Sequence, residues 1–342
     1  MKRKDFIKTT IGLASGATAL SSFKYDEDTI QSSEKIIPKS LQPGNKIALT
    51  APAGSIWNKW HIEKVEKILH EKGYHTIKGE TLYLQDGYLA GSDEIRAKEF
   101  MQFIADKSVH GIVTMRGGWG CQRILDRLDY SVIAANPKVI MGFSDITSLI
   151  NAIYTKTGLV TYHGPCGYSS WGNFTVDEVT RALVDGKPFK MSNPLKYRED
   201  LKTWVPGKAE GELIGGNLTV LVAMIGTAYE PKWDRKILFL EEIGEEPYRV
   251  DRMLWQLKQR GTFDLIKGLV LGSFKDCEPE EPEKSFTLAQ VFEQHFAGFK
   301  IPIYQGAAIG HIAPKFTVPI GVRAEMDADA FTITTLERSV LV

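Results

Sequence analysis

The sequence predicts an α/β protein with two domains: an N-terminal Rossmann-like domain on a parallel sheet, and a C-terminal β-rich domain of α+β, barrel-like type. From residue 46 onward, short apolar runs alternate with segments of helical periodicity, which is typical of parallel strands covered by helices. Residues 187–206 are polar and contain prolines, and the last segments alternate apolar and polar residues as antiparallel strands do. We therefore expect domains at 35–195 and 205–342, after a separate segment at 1–34.

Charge and composition exclude several classes of protein. The 342 residues include 42 Lys and Arg and 42 Asp and Glu, and this balance argues against nucleic acid as a partner, because phosphate binding needs a basic surface. No apolar run reaches the roughly 18 residues that a membrane-spanning helix needs, so we expect no integral membrane segment in the mature chain. Cys121, Cys166 and Cys277 are too far apart for a zinc motif or a disulfide framework.

The first 34 residues have the layout of an export signal followed by a polar linker. A basic start that includes Arg3 and Lys4 precedes an uncharged apolar stretch at 11–20, and residues 17–19 form an A-x-A cleavage site. Lysine stands where a twin-arginine signal has its second arginine, which leaves the choice between the general and the twin-arginine route open. We expect the mature protein in the periplasm, with a cytoplasmic location as the alternative.

The spacing of apolar residues gives the elements in order, with Ser92 as the N-cap of one helix. In the first domain we predict strands at 46–50, 111–115, 139–143 and 159–162, and helices at 60–72, 92–106, 121–128 and 146–154. In the second domain we predict strands at 236–240, 268–274, 317–326 and 330–335, and helices at 248–260 and 287–296.

The loops at the carboxyl ends of parallel strands are where such sheets bind ligands. Three of them, at 116–120, 143–145 and 163–165, should meet there. Ser144 lies between an apolar strand and a helix, as in a nucleophile elbow, where backbone N–H groups can face a developing oxyanion. Ile146 stands where that motif would have glycine, and the alternative is that Ser144 or Asp145 only caps the helix.

A serine nucleophile needs a base, and the base needs a group that orients it. Of the seven histidines, His163 and His311 both follow apolar runs in glycine-flanked loops, and His311 is the better candidate for the base. His163 is interpreted as a structural histidine bonded to backbone, and the other five, His295 among them, as surface residues. Acids at 241–246 end a buried strand, where a carboxylate needs a partner such as a histidine N–H; a solvated acidic turn is the alternative.

Six motifs together resemble the serine LD-carboxypeptidases, a family that includes the microcin C immunity peptidases. They run in order from about residue 47 to the C-terminus, and they are the segments at 116–120, 141–147, 163–165, 215–218, 239–252 and 310–321. The resemblance implies a triad of Ser144, Glu241 and His311 that is divided between the domains, with the active site between them. Glu242 stands where the family often has aspartate, so it is kept as the competing acid.

The resemblance also implies the rest of the site. The N–H groups of Gly118 and Asp145 would form the oxyanion hole, and Gly117 and Trp119 would contact substrate. Arg116 would either pair with the substrate's terminal carboxylate or support the loop through backbone contacts. No metal and no cofactor are implied.

The substrate implied by the family is a peptidoglycan-derived tetrapeptide, whose terminal D-alanine is released from an L-centre through an acyl-enzyme. Two alternatives are kept: a hydrolase of a peptidyl-nucleotide antibiotic, and a non-catalytic muropeptide-binding protein. The sequence leaves open whether the chain forms a homodimer.

Overall fold

The computed structural model describes residues 35–342, and the predicted export signal and linker lie outside these residues. Fourteen strands are present in this part of the chain: β1 (Lys46–Thr50), β2 (His75–Lys78), β3 (Val109–Thr114), β4 (Val139–Gly142), β5 (Thr161–His163), β6 (Lys190–Ser192), β7 (Lys202–Val205), β8 (Lys208–Asn217), β9 (Lys236–Ile243), β10 (Gly268–Lys275), β11 (Ile303–Gln305), β12 (Val318–Ile320), β13 (Arg323–Asp327) and β14 (Thr332–Thr335).

The same residues form nine α-helices: α1 (Trp60–Glu71), α2 (Asp93–Ala105), α3 (Tyr130–Ala135), α4 (Ile146–Thr157), α5 (Asn173–Leu183), α6 (Leu218–Met224), α7 (Pro247–Gln259), α8 (Thr262–Leu265) and α9 (Leu288–Phe296). Short 3₁₀ helices lie at Glu80–Leu82, Cys121–Arg127, Leu195–Tyr197 and Pro282–Lys284. Within residues 35–342, no helix is long and apolar enough to cross a membrane.

Two sheets organise the fold, as the predicted α/β class requires. The first has the order β12-β5-β4-β3-β1-β2, in which β12 alone runs antiparallel to its neighbour. The second has the order β6-β14-β13-β8-β9-β10-β11-β7, with a parallel centre from β8 to β11 and antiparallel strands on both sides. Both sheets have parallel strands at the centre, where apolar runs are buried on both faces.

Helix α4 follows a strand of the first sheet and packs against the second sheet, and it is buried along nearly its whole length. Its Ile146, Leu149 and Ile150 belong to the same apolar core as Leu213 on β8. The amide of Asn151 donates to the carbonyl oxygen of Gly215 at 2.9 Å. A helix packed in this way fixes its own N-terminus, and the residues before it, beside the second sheet.

The predicted single strand at 317–326 is wrong. The chain turns after Ile320, and the two halves join different sheets: β12 pairs with β5, whereas β13 pairs with β8 and β14. Strand β6 also joins the second sheet, so the sheets exchange strands across the predicted boundary at 195–205. The predicted helix at 121–128 is a 3₁₀ helix, Cys121–Arg127. The alternation of apolar and polar residues indicates that a segment is a strand, but it does not show which strand that segment pairs with.

Candidate active site

Ser144 occupies a strained turn between β4 and α4. Its φ of 65° lies in the left-handed region, which costs a non-glycine residue free energy and is typical of functional turns. The serine is half-buried, and its carbonyl oxygen accepts the N–H of Thr147 at 2.9 Å in the first turn of α4. Asp145 does not cap the helix with its side chain. The turn therefore has the conformation of a nucleophile elbow, although Ile146 replaces the usual glycine.

The glycine loop that follows β3 lies directly against Ser144. A Cβ atom placed on Gly117 would lie 2.7 Å from the Cβ atom of Ser144 and 2.9 Å from its Oγ atom, so only glycine fits there. The carbonyl oxygen of Gly117 accepts the N–H of Gly54 at 3.0 Å. Among residues 35–342, no hydrogen bond uses the N–H of Gly118 or of Asp145. Both donors are therefore available to a ligand.

Arg96 holds this loop in place, and sequence reasoning missed it. The side chain is fully buried, and it donates to the carbonyl oxygens of Gly91 and Gly120, at 3.2 and 2.9 Å, and to that of Pro52. A signal was present in the sequence, because Arg96 lies at helical spacing from the core residues Phe100 and Ile104. A buried guanidinium must be satisfied by such acceptors, and these fix the end of the loop.

Asp145 completes the anchoring of the loop from the other side. Its carboxylate accepts the N–H of Cys121 at 2.8 Å, so it ties the start of α4 to the residue that follows the glycine loop. Burial raises the pKa of Asp145 to about 6. The side chain of Asp145 is thus structural in this arrangement, while its N–H faces the turn.

The C-terminal part of the chain brings an acid and a histidine together. Glu241, near the end of β9, is fully buried, and its Oε2 atom lies 2.7 Å from Nδ1 of His311. Gly310 has a φ of 108°, and a Cβ atom there would lie 2.6 Å from Oε2 of Glu241, so glycine allows this close approach. Nδ1 of His311 therefore carries the proton of this bond, and Nε2 is left as the acceptor.

Glu242 points elsewhere. Its carboxylate accepts the side-chain amide of Asn217 and the N–H of Thr219, each at 2.8 Å, at the start of α6. Burial raises the pKa of Glu242, and these hydrogen bonds oppose that rise. Of the two acids that the sequence left open, only Glu241 contacts His311.

His163 lies at the end of β5 on the opposite side of Glu241. Its Nε2 atom is 3.9 Å from Oε1 of Glu241, and neither atom has another hydrogen-bond partner among the described residues. Burial lowers the pKa of His163 to about 4, so the ring is neutral at pH 7. The interpretation of His163 as bonded only to backbone is therefore incomplete. The prediction that His295 is a surface residue is wrong, because its side chain is buried and its Nε2 atom lies 2.7 Å from Oδ1 of Asp251.

Phe143 connects these groups with the nucleophile turn. Its ring centroid lies 4.8 Å from that of His311 and 5.9 Å from that of His163. Phe143 immediately precedes Ser144, so its contact with His311 places the pair of His311 and Glu241 near the nucleophile turn. The Nζ atom of Lys315 lies 3.9 Å from the centroid of the same ring, and this buried lysine was not singled out from the sequence.

Arg116 and Trp119 lie at the open side of the loop. Arg116 donates from Nη1 to the carbonyl oxygen of Ser55 at 2.6 Å, and its guanidinium lies 4.1 Å from the ring of Trp57. Trp119 is 49% exposed and meets the ring of Tyr88 edge-on at 5.7 Å. The contacts of Arg116 fit the support of the loop that the sequence gave as an alternative.

A cavity of about 510 Å³ adjoins His311. Its wall includes Asn193, Lys275, Gln305 and Ala313, and it lies beyond the carboxyl ends of β10 and β11. In residues 35–342, no group of three or more His, Cys, Asp or Glu side chains is placed to hold a metal ion.

Comparisons with known proteins identify the family. Residues 47–164 match the LD-carboxypeptidase N-terminal domain, and residues 210–326 match the LD-carboxypeptidase C-terminal domain. A probable murein peptide carboxypeptidase of Bacillus subtilis is 39% identical over 293 residues, which are 85% of this chain and 91% of that protein.

Two solved structures show the same fold. The microcin C7 self-immunity protein MccF has a TM-score of 0.82 and 26% identity, covering 90% of this chain and 100% of that one. The muramoyltetrapeptide carboxypeptidase of Oxalobacter formigenes has a TM-score of 0.74 and 28% identity, covering 85% and 97%. Since the two domain matches span most of the chain, the protein belongs to the LD-carboxypeptidase family of hydrolases.

Proposed function

We propose that this protein is a serine LD-carboxypeptidase, which removes the terminal D-alanine from peptidoglycan-derived tetrapeptides. The observation that carries the proposal is the bond of 2.7 Å between the buried Glu241 and His311, in a site where Phe143 links that histidine to the strained turn of Ser144. Relatives named murein peptide carboxypeptidase and murein tetrapeptide carboxypeptidase support the substrate class.

In the first step, the hydroxyl of Ser144 attacks the carbonyl carbon at the L-configured centre of the diamino acid that precedes D-alanine. Nε2 of His311 takes the proton of the serine hydroxyl. Glu241 keeps the imidazole in the tautomer with its proton on Nδ1 and stabilises the imidazolium that forms. His163 is neutral, and it can direct an N–H toward the second oxygen of Glu241 after a small approach from 3.9 Å. The carboxylate would then have a donor on each oxygen.

The oxyanion that develops on the substrate carbonyl is stabilised by the N–H groups of Gly118 and Asp145, which have no acceptor among the described residues. The loss of one such donor typically costs about 3–4 kcal/mol of transition-state stabilisation. His311 then gives its proton to the departing nitrogen, D-alanine leaves, and an ester to Ser144 is formed. Water, deprotonated by His311, hydrolyses the ester and restores the serine.

Substrate contacts beyond the reacting groups are assigned to Gly117, Trp119 and Arg116. Gly117 keeps the loop close to Ser144, and the exposed ring of Trp119 offers an apolar face. Arg116 supports the loop through its Nη1 donor to Ser55, and pairing of its remaining donors with a substrate carboxylate is the alternative role.

A second candidate is the hydrolysis of a peptidyl-nucleotide antibiotic. The exposed rings of Trp57, Tyr88 and Trp119 near the glycine loop favour it, because aromatic faces stack on bases. The structural similarity to the microcin C7 self-immunity protein points the same way.

One experiment distinguishes the candidates. The purified protein is incubated with a defined tetrapeptide and, separately, with an aminoacyl sulfamoyl adenosine, and the products are measured by mass spectrometry. We expect released D-alanine from the tetrapeptide. Ser144→Ala should fold normally and lose nearly all turnover, since its hydroxyl is the nucleophile. Full activity in that variant, or cleavage of the nucleoside compound alone, would contradict the proposal.

A further inference from the structure

Lys315 has a buried side chain whose ammonium forms no hydrogen bond with the described residues. The residue is 4% exposed, its Nζ atom is not among the fully buried polar atoms, and that atom lies 3.9 Å from the centroid of the Phe143 ring. Across residues 35–342, no oxygen accepts a hydrogen bond from Nζ, and no carboxylate pairs with it. Burial lowers the pKa of Lys315. A cation–π contact replaces only part of the hydration that a buried ammonium loses.

A second buried lysine, Lys138, shows how a structural lysine is hydrogen-bonded in this protein. Lys138 is 6% exposed, and its Nζ atom donates to the carbonyl oxygens of Asp106 and Val109, at 2.8 and 2.6 Å. Nothing comparable surrounds Lys315. Because Nζ of Lys315 is not among the fully buried polar atoms, it is open to a partner from outside the protein.

The charges that surround Lys315 leave room for an anion from outside. Glu241 attracts the ammonium, but its Oε2 atom is already bonded to His311. Lys275 repels the ammonium more weakly than Glu241 attracts it, and the wall of the cavity next to His311 contains Lys275 together with the acids Asp200 and Glu278. Because Lys315 and His311 contact the same Phe143 ring, an anion bound by Lys315 would lie beside the reacting groups.

We propose that Lys315 binds the terminal carboxylate of the substrate and so makes the enzyme select the last residue of a peptide. The inference rests on the proposed function and identifies the group that recognises the chain end. The carboxylate of the departing D-alanine is separated from the scissile nitrogen by one carbon atom, so its receptor must lie close to Ser144. An ammonium that donates to a carboxylate forms a charge-assisted hydrogen bond, which is stronger than a neutral one.

Arg116 is the competing receptor, and the structure favours Lys315 over it. Arg116 is anchored to the carbonyl oxygen of Ser55 and stacked on Trp57, so its charge is already supported. Lys315 has no such support, and a ligand carboxylate would supply the partner that it lacks.

The test uses two ligands that differ only at the chain end: a tetrapeptide with a free terminal carboxylate, and its C-terminal carboxamide. Binding is measured by calorimetry in Ser144→Ala, so that no turnover intervenes. We expect the carboxylate to bind about 10- to 100-fold more tightly than the amide. In Ser144→Ala with Lys315→Met, the two ligands should bind equally. With Arg116→Met in place of Lys315→Met, the preference should persist.

Thermal unfolding provides a readout that is independent of ligand. Lys315→Met should keep or raise the melting temperature, because it removes a largely desolvated ammonium that donates to no oxygen of the described residues. The matched control Lys138→Met should lower the melting temperature and leave the ligand preference unchanged. If Lys315→Met does not fold, Lys315→Gln is compared in the same way.

The proposal is overturned if the protein with intact Lys315 does not distinguish carboxylate from amide, or if the preference survives the loss of Lys315. A preference abolished by Arg116→Met alone would assign the carboxylate to Arg116. Failure of the proposed function looks different: the wild-type protein would release no D-alanine from the tetrapeptide with the free carboxylate, whereas the binding preference could still be measured.

Discussion

Substitution of Glu241 and, separately, of Glu242 by glutamine tests how the site uses two neighbouring acids of the same strand. Glutamine keeps the shape of the side chain and removes its charge. In Glu241→Gln, the amide oxygen can still accept the proton on Nδ1 of His311 across 2.7 Å, but the imidazolium formed during attack loses its counter-charge. If the amide turns its nitrogen to the histidine instead, the ring is held in the wrong tautomer.

The size of the effect follows from the burial of this pair. Glu241 is fully buried, and the side chain of His311 is 16% exposed, so solvent cannot replace the lost charge. Loss of the corresponding charge in a serine triad lowers kcat by about 10⁴. Since each factor of ten corresponds to about 1.4 kcal/mol, we expect the barrier for Glu241→Gln to rise by about 4–6 kcal/mol.

The matched substitution Glu242→Gln should affect stability instead of turnover. Its carboxylate accepts the side-chain amide of Asn217 and the backbone N–H of Thr219, and a glutamine nitrogen would face one of these donors without an acceptor. An unsatisfied buried donor costs about 1–3 kcal/mol of folding free energy. Turnover by the folded fraction should fall by no more than a few fold, because neither partner contacts His311.

The assay measures kcat for D-alanine release at saturating tetrapeptide, together with urea unfolding of each variant. Both variants must be compared at a temperature at which they are fully folded. A larger loss of kcat in Glu242→Gln than in Glu241→Gln would refute the assignment of Glu241. Equal and small losses in both variants would show that no carboxylate supports His311.

Three further predictions concern metal dependence, the pH dependence of stability, and export. Exhaustive treatment with a chelator should leave activity unchanged, because the proposed mechanism uses serine and histidine; loss of activity that zinc restores would contradict it. Burial lowers the pKa of His163 to about 4, so between pH 4 and 6.5 the unfolded chain binds more protons than the folded protein. The unfolding free energy should therefore fall as pH falls through that range, by an amount on the order of 3 kcal/mol. The decline in unfolding free energy should be shallower in His163→Asn, and an identical slope would exclude this histidine as its source. We also propose that residues 1–34 direct export: deletion of residues 1–23 should keep activity in vitro and retain the protein in the cytoplasm, and a native chain that still begins at Met1 in the cytosol would contradict this.

Most of the secondary structure near the site could be predicted from the sequence, because local rules determine it. The strand at 46–50 and the helices at 60–72 and 92–106 agree with β1, α1 and α2 to within a residue. Ser92 caps α2 through the N–H of Ile95, as its residue type predicts. Strand β8 was missed, since its glycines and charges interrupt the apolar pattern that identifies a strand.

The sequence predicts the three types of residue in the candidate site, and it leaves the acid open between Glu241 and Glu242. Adjacent residues of a strand point to opposite faces, so Glu241 and Glu242 cannot be distinguished by composition or by position in a motif. The packing of other elements on the two faces of β9 distinguishes these acids: Glu241 faces His311, and Glu242 faces the start of α6.

Local sequence rules account for the class of fold, the order of the strands and helices around the site, and the turn in which Ser144 lies, since apolar spacing, caps and glycines act over a few residues. The packed structure was needed to show that Arg96 supports the glycine loop, that His163 faces Glu241, and that Lys315 lies against the ring of Phe143. These are contacts between residues more than 20 positions apart in the chain. Their energies depend on burial and distance, and neither quantity exists until the sheets pack together.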